Sequence, residues 1–446
     1  MSENKFKQIA DTIEARILDG IYPPNFKLPP HRELANELST TPVTVAKAYK
    51  LLVDKKRVVS FVGRGTFVCG ESRLNQVISS VEDTSSFNFS ILQPCLSFNV
   101  QPLKEAFETA ASHFTSDLIG YTENSGHEAH RLAGVNWAKK YGLTGGNSSN
   151  TLLTNGAQHA LSLLIEVLSK PGDTIAVEAL TYPGIIAIAS LLGRQIVSVD
   201  LDEQGMCPVS LAKVLKTHKP KLVIVIPSFQ NPTGITMPAA RREKIANVIS
   251  KTSSYLIEDD IYGFLNTDII PAICNWLPEQ GFHITSLSKA ISPAMRCGFV
   301  KVPEDHIATI GAQIRASIWL SSPINYIAAA QMIESGIAYK LAEQQRLIAA
   351  RRQTIAREVF DIKYLGSDGY HIWLPLPQHW QQNLFVLEAK NRGLIVSSGS
   401  YFNAADRDIN HVRLSLMSIN SDDKLEEGLK RINNLLKYNV KNIFPF

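Results

Sequence analysis

The chain has 446 residues, more than one ordinary domain holds, so two or three domains are expected. With 45% hydrophobic and 19% charged residues it is globular rather than disordered. The first seven residues lack the apolar stretch of a secretory leader, and the longest apolar run, about residues 184–193, is too short to span a bilayer.

Five scattered cysteines without a CxxC pair point to a reducing cytoplasm and away from a zinc site. The net charge of +4 lies wholly in residues 1–70, where 11 Lys/Arg meet 7 Asp/Glu; the remaining chain holds 34 of each. That end is expected to meet an anionic partner.

Phe6, Ile9, Ile13 and Ile17 recur at helical spacing up to Gly20. A short second helix over Pro30–Leu38 would bury Leu34, Ala35 and Leu38. After the Ser39-Thr40-Thr41 turn, Thr41 is placed to cap a third helix with Pro42 at its first position. That helix would bury Val45, Tyr49 and either Leu52 or Val53, leaving Thr44 and Lys47 outward. Helix, turn and helix is the geometry that delivers a helix N-terminus to a major groove. Residues 58–68 read as a hairpin with Gly63-Arg64-Gly65 at its tip, a wing that presses an arginine onto DNA. The runs Leu28-Pro29-Pro30-His31-Arg32-Glu33-Leu34-Ala35, Thr44-Val45-Ala46-Lys47-Ala48-Tyr49 and Gly63-Arg64-Gly65-Thr66-Phe67-Val68 resemble the winged-helix domain of GntR-type regulators. The resemblance implies double-stranded operator DNA as partner, met by Arg32, the start of the third helix and the wing tip. Relatives commonly carry arginine where this chain has Pro42 and Ala46, which throws more weight on Thr41, Thr44 and Lys47. The polar, Ser-rich residues 71–86 read as a flexible linker, with a root-mean-square span of roughly 20–25 Å.

From residue 87 strand-like runs alternate with helical ones, as in an α/β domain with a mostly parallel sheet, where ligands gather at the carboxyl ends of strands. His127-Glu128-Ala129-His130 has the wrong spacing for a zinc motif and reads as an exposed helix start. Leu152-Leu153-Thr154 runs straight into Asn155-Gly156-Ala157-Gln158, a strand–helix junction whose free amides form a phosphate cup. Tyr182 would place a ring at the mouth of the site. Asn231, in Asn-Pro-Thr-Gly after the strand ending at Ile226, can donate to a phenolate. Asp259 at the next strand end can hold a pyridinium nitrogen protonated, and Tyr262 can share the phenolate. Thirty residues on, Lys289 sits among Ser286, Ser288 and Arg296. A lysine held between strands can act as a free amine toward an aldehyde, while hydroxyls and a guanidinium hold a phosphate. A phosphate-bearing aldehyde describes pyridoxal 5′-phosphate (PLP).

This ordered set resembles the fold-type I PLP-dependent aminotransferases over nearly all of residues 87–440. The resemblance implies a large domain of about residues 87–305 and a smaller C-terminal α+β domain of about residues 345–446. It assigns the Schiff base to Lys289, the ring nitrogen to Asp259, the ring hydroxyl to Asn231 and Tyr262, and ring stacking to Tyr182. Gly156, Ala157, Gln158, Ser286 and Arg296 would hold the phosphate, and Arg413 a ligand carboxylate. Tyr121, in Gly120-Tyr121-Thr122-Glu123-Asn124-Ser125-Gly126, would reach the phosphate of a second subunit, which implies a homodimer. Head and body together resemble the MocR family of bacterial regulators, and so imply a cytoplasmic, PLP-dependent transcriptional regulator that senses an amino acid or amine. No catalytic residue is missing, so the sequence also accommodates an active aminotransferase with an accessory DNA-binding head.

Overall fold

The structure is a computed structural model, and the residues it describes are 2–18, 21–22, 26–55, 57–61, 65–68, 87–121, 126–361, 367–405 and 407–438. The chain divides into two compact units, Met1–Gln76 and Val77–Phe446. Gly20, Gly63, Arg64 and the linker residues 71–86 lie outside the described residues. Among the described residues no helix is long and apolar enough to cross a membrane.

The first unit has helices Ser2–Leu18, His31–Glu37 and Pro42–Asp54, then an antiparallel hairpin of β1 (Val58–Phe61) and β2 (Gly65–Val68). The hairpin pairs Val58 with Val68 and Phe61 with Gly65. Phe26–Leu28 runs alongside β2, through Leu28 N to Thr66 O at 2.8 Å and Val68 N to Phe26 O at 2.9 Å. Ile13, Leu34, Val45 and Leu52 have no exposed surface. Each such side chain contributes about 1.5–3 kcal/mol by leaving water. Of the two candidates at the end of the third helix, Leu52 fills the core and Val53 only packs on its edge. Pro42 does begin that helix, and the Thr41 side chain accepts from Thr44 N.

The second unit is built on a seven-stranded sheet. Its strands are β4 (Thr151–Asn155), β5 (Thr174–Glu178), β6 (Gln195–Val199), β9 (Leu222–Val225), β10 (Tyr255–Asp259), β11 (Gly281–Ser286) and β12 (Cys297–Lys301), in the order β4-β12-β11-β10-β9-β5-β6. Two short intervening strands, β7 (Leu201–Asp202) and β8 (Gly205–Met206), form a separate hairpin. The pairs β6–β5, β5–β9, β9–β10 and β10–β11 are parallel, and β12 is antiparallel to both β11 and β4. The central strands are buried on both faces, so Leu222–Val225 is continuously apolar without alternation. One core cluster joins the sheet to helix Gly156–Leu168, and another joins it to helices Pro208–His218 and Ala239–Ile249.

The carboxyl ends of β5, β9, β10 and β11 point the same way, which gathers their loops into one place. A smaller lobe pairs β13 (His371–Pro375), β16 (His411–Ser415) and β15 (Ser397–Ser398), all antiparallel. Beside it β14 (Leu394–Ile395) runs parallel to β3 (Phe87–Asn88).

The expected exposed helix start at His127–His130 is corrected at its last residue only: the helix begins at Glu128, and Glu128 and Ala129 are exposed. His130 is only 6% exposed, its ring centroid lies 6.2 Å from that of Tyr326, and burial brings its imidazole down to about 4. Which turn of a helix is covered is decided by a partner element, here helix Pro323–Glu334, which is remote in sequence.

Candidate functional site

Lys289 lies in the turn between β11 and β12. That turn is closed by its own hydroxyls: Ser286 Oγ donates to Cys297 O at 2.8 Å and accepts from Ser288 N at 3.1 Å. Lys289 faces a cavity of about 230 Å3 at the carboxyl ends of the strands. Its Nζ donates to Leu92 O at 2.6 Å. Burial first, and Arg413 next, bring the ammonium down to about 8, against the opposing pull of Asp259. About a tenth is therefore free amine at pH 7.

The same cavity is lined by Ala157, Gln158, Tyr182, Asn231, Asp259 and Tyr262, and by Ser286, Arg296 and Arg413. Asp259, at the end of β10, is 2% exposed; burial and then the adjacent Asp260 push its carboxyl up to about 7. Arg413, on β16, is 3% exposed, and burial lowers its guanidinium to about 10. It donates to Asn231 Oδ1 at 3.1 Å, to Ser397 Oγ at 3.0 Å and to Ser90 O, and its guanidinium carbon lies 5.0 Å from the Phe402 ring centroid. At the other end, Arg296 donates to Asn155 O at 2.8 Å. Gly156 has φ +79°, and a Cβ there would lie 2.7 Å from the Arg296 guanidinium, so this junction takes glycine. Gly298 lets β12 approach: a Cβ would meet Thr154 Oγ1 at 2.6 Å and Gly156 backbone at 2.7 Å.

Of the predicted body residues, only Tyr121 lies apart from this group. It is 84% exposed, with its ring centroid 5.3 Å from that of Trp319. Several contributors had no sequence signal. Ser90 and Leu92 act through backbone carbonyls. Gln230 fixes the Asn231 loop: its Nε2 donates to Leu180 O at 2.6 Å and Glu178 Oε2 at 3.1 Å, while its Oε1 accepts from Thr233 N at 3.0 Å. Ser288 was legible, since it flanks the lysine and lines the cavity.

The donor set fits PLP. Asp259 Oδ1, Tyr262 OH and Gln158 Oε1 are buried on cavity-lining residues without a hydrogen-bond partner among the described residues. Such orphaned groups are costly unless a ligand satisfies them. An anionic acceptor, a phenol and a glycine-opened helix start beside Arg296 match a ring nitrogen, a ring hydroxyl and a phosphate.

In the head, Arg32 and Lys47 are exposed, as is Thr41, and Thr44 is half-buried. The Thr41 and Thr44 hydroxyls are 2.8 Å apart, so the two threonines serve first as the helix cap. Lys55 and Arg57 pair with Glu14 at 2.9 and 2.8 Å, and Arg16 with Glu37 at 2.8 Å. Among the described residues no carboxylate pairs with Arg32 or Lys47. Tyr49 OH donates to Pro29 O at 2.7 Å, tying the third helix to the loop that leads to Arg32.

A profile described as "Bacterial regulatory proteins, gntR family" matches residues 5–68, and one for "Aminotransferase class I and II" matches residues 85–432. The HTH-type transcriptional regulator YdeF of Bacillus subtilis is 30% identical, over 97% of this chain and 94% of its own length. The vitamin B6 salvage pathway transcriptional repressor PtsJ of Salmonella typhimurium is 27% identical, over 93% and 95%. Among solved structures, the kynurenine aminotransferase of Pyrococcus horikoshii superposes with a TM-score of 0.74 at 22% identity, over 82% of this chain and 94% of that one. The chain thus belongs to the MocR family, a GntR-type winged-helix head joined to a PLP-binding body of the class I and II aminotransferase fold.

Proposed function

We propose that this protein is a PLP-dependent transcriptional regulator in which Lys289 holds the cofactor, Arg413 receives the carboxylate of an amino-acid or amine effector, and the head binds operator DNA through Arg32, Thr41, Thr44 and Lys47. The observation that carries this reading is the convergence of Lys289, Asp259 and Arg413 on one cavity, in a chain that also carries a winged helix with exposed cations. When bound, PLP supplies an electrophilic carbonyl carbon for an amine and a ring that draws electrons from it. The chain's own residues do the rest. Asp259 offers a buried acceptor to the ring nitrogen, and Tyr262 and Asn231 offer partners to the ring oxygen. The Gly156 helix start, Ser286 and Arg296 supply positive potential for the phosphate, and Tyr182 shields a ring face from water.

A homodimer is part of this reading. Ile119 is 60% exposed, Tyr121 84% and Trp319 45%, and the last two pack ring against ring; such a patch fits burial by a second copy. Operator binding places the protein with the chromosome, in the cytoplasm. A second reading, turnover as an aminotransferase, is favoured by the Lys289 amine being partly deprotonated near neutrality.

The test pairs electrophoretic shifts of DNA upstream of the gene with a multiple-turnover transamination assay. PLP plus the effector should change DNA affinity by about 5–150-fold. Lys289→Ala should lose the visible absorbance of lysine-bound PLP and the ligand response, yet keep basal DNA binding. Rapid turnover without specific DNA binding would replace this reading by the second.

A further inference from the structure

The residues Ser90–Pro94 form a bow across the cavity. On one side the chain is fixed by Phe89 N to Ile395 O at 2.8 Å and Ser415 N to Phe89 O at 2.7 Å. On the other it is fixed by Cys95, whose N donates to Gln345 Oε1 at 2.8 Å and whose O accepts from Gln345 Nε2 at 3.0 Å. Between these anchors, among the described residues, Ser90 N bonds only to the nearby Asn88 side chain, at 2.9 Å. Among the described residues, the close hydrogen bonds that tie the bow's carbonyls to the rest of the body come from two side chains. Arg413 donates to Ser90 O and Lys289 to Leu92 O, with a longer 3.5 Å approach from Ser397 Oγ to Ser90 O. These are the two cations assigned above to effector and cofactor, and the inference rests on that assignment.

We propose that Ser90–Pro94 is the element that reports occupancy of the site. Lys289 and Arg413 hold the bow until ligand groups take their donors, and then they release it. Competition is built into the geometry. Arg413 already gives three of its five N–H groups, to Asn231, Ser397 and Ser90. Both N–H groups of Nη2 are taken, by Ser90 and Ser397, and either two-pronged face of a guanidinium uses one of them, so a carboxylate must displace one of these two acceptors. Of these two, Ser397 is held in β15 opposite Arg413 itself, whereas Ser90 lies in no strand or helix, so the Ser90 carbonyl is the one that can move away. Lys289 Nζ engaged by the cofactor likewise turns away from Leu92 O. Ile91 and Leu92 line the cavity too, so a shift of the bow reshapes the wall against which an effector side chain rests. In sequence the bow follows β3, the first described strand of the body, and so stands close to the stretch leading from the head.

The experiment is spin-label mobility on the full chain. Gln93, half-buried on the bow, is changed to cysteine in a Cys69→Ser, Cys207→Ser background and labelled with a nitroxide; Cys95, Cys274 and Cys297 are buried. Spectra are taken without ligand, with PLP, and with PLP plus a mixture of the twenty protein L-amino acids, while visible absorbance reports loading independently. Each charged hydrogen bond that breaks should raise the ratio of mobile to held label roughly tenfold. PLP should therefore mobilise the label, and Lys289→Ala or Arg413→Ala should mobilise it without ligand. Should Arg413→Ala fail to fold, Lys289→Ala tests the Leu92 tie alone. An immobile label in PLP-loaded protein, as judged by its visible band, overturns the proposal and leaves the cofactor reading standing. A protein that takes up no PLP overturns both.

Discussion

At the residue scale the site depends on groups whose charge is set by burial. Lys289 is depressed to about 8, so its protonated form dominates below that pH. The rate of PLP uptake by cofactor-free protein should rise about tenfold per pH unit up to that point and level off above it, as stopped-flow absorbance would read. Asp259 is shifted the other way, to about 7, and its Oδ1 has no hydrogen-bond partner among the described residues. Its folded form holds a proton that the unfolded chain has released, so it costs stability increasingly as pH rises from about 4 to about 7. Asp259→Asn should therefore stabilise the cofactor-free protein by about 1–3 kcal/mol at pH 8, measured by urea denaturation, while weakening PLP retention. With the role proposed for Asp259, stability and function pull apart at this position, because the carboxylate is kept for a ligand. Asp259 and Lys289 were legible from their spacing and strand-end placement. The Leu92 and Ser90 carbonyls were not, because a backbone acceptor is the same in every residue type.

At the element scale, chemistry sits where one element gives way to another. β4 turns into helix Gly156–Leu168 at a glycine of φ +79°, and β11 returns as β12 through the lysine turn. In the head the corresponding junction is the Thr41 cap on helix Pro42–Asp54. Thr41→Ala should cost about 1 kcal/mol there, seen as a roughly fivefold loss of amide hydrogen-exchange protection in the first turn. Thr41→Ser should retain it. Because that turn also presents Thr44 and Lys47, DNA affinity should fall with the loss of order. These boundaries were readable from Pro42 and Thr41, since local chemistry alone makes a cap. His130 escapes such a reading for the opposite reason: its burial is imposed by helix Pro323–Glu334, and no pattern within its own helix announces a neighbour.

At the scale of the whole molecule, the excess charge and the ligand chemistry belong to different units. The body's Lys/Arg and Asp/Glu balance, while the head carries the surplus of four. Ion pairs engage Arg16, Lys55 and Arg57 within the head, whereas among the described residues no carboxylate pairs with Arg32 or Lys47, the two cations proposed to meet phosphate. Operator binding should accordingly weaken with salt. Arg32→Ala should lower the slope of log affinity against log salt by about 0.9 for each phosphate it no longer neutralises, measured by fluorescence anisotropy with labelled DNA. An unchanged slope would remove Arg32 from the DNA-binding surface.

The sequence by itself determined the two-part build, the cofactor chemistry and the order of the site residues. Turn chemistry, strand period and a lysine among hydroxyls are local properties, complete within a few positions. Tertiary structure decided which of those residues meet. Arg413 reaches Asn231 across 182 positions and Ser90 across 323, and Lys289 reaches Leu92 across 197. Such pairings follow from sheet order and lobe packing, which are set by burial summed over the whole chain. For that reason the Ser90–Pro94 bow, without a motif of its own, became visible only in the folded molecule.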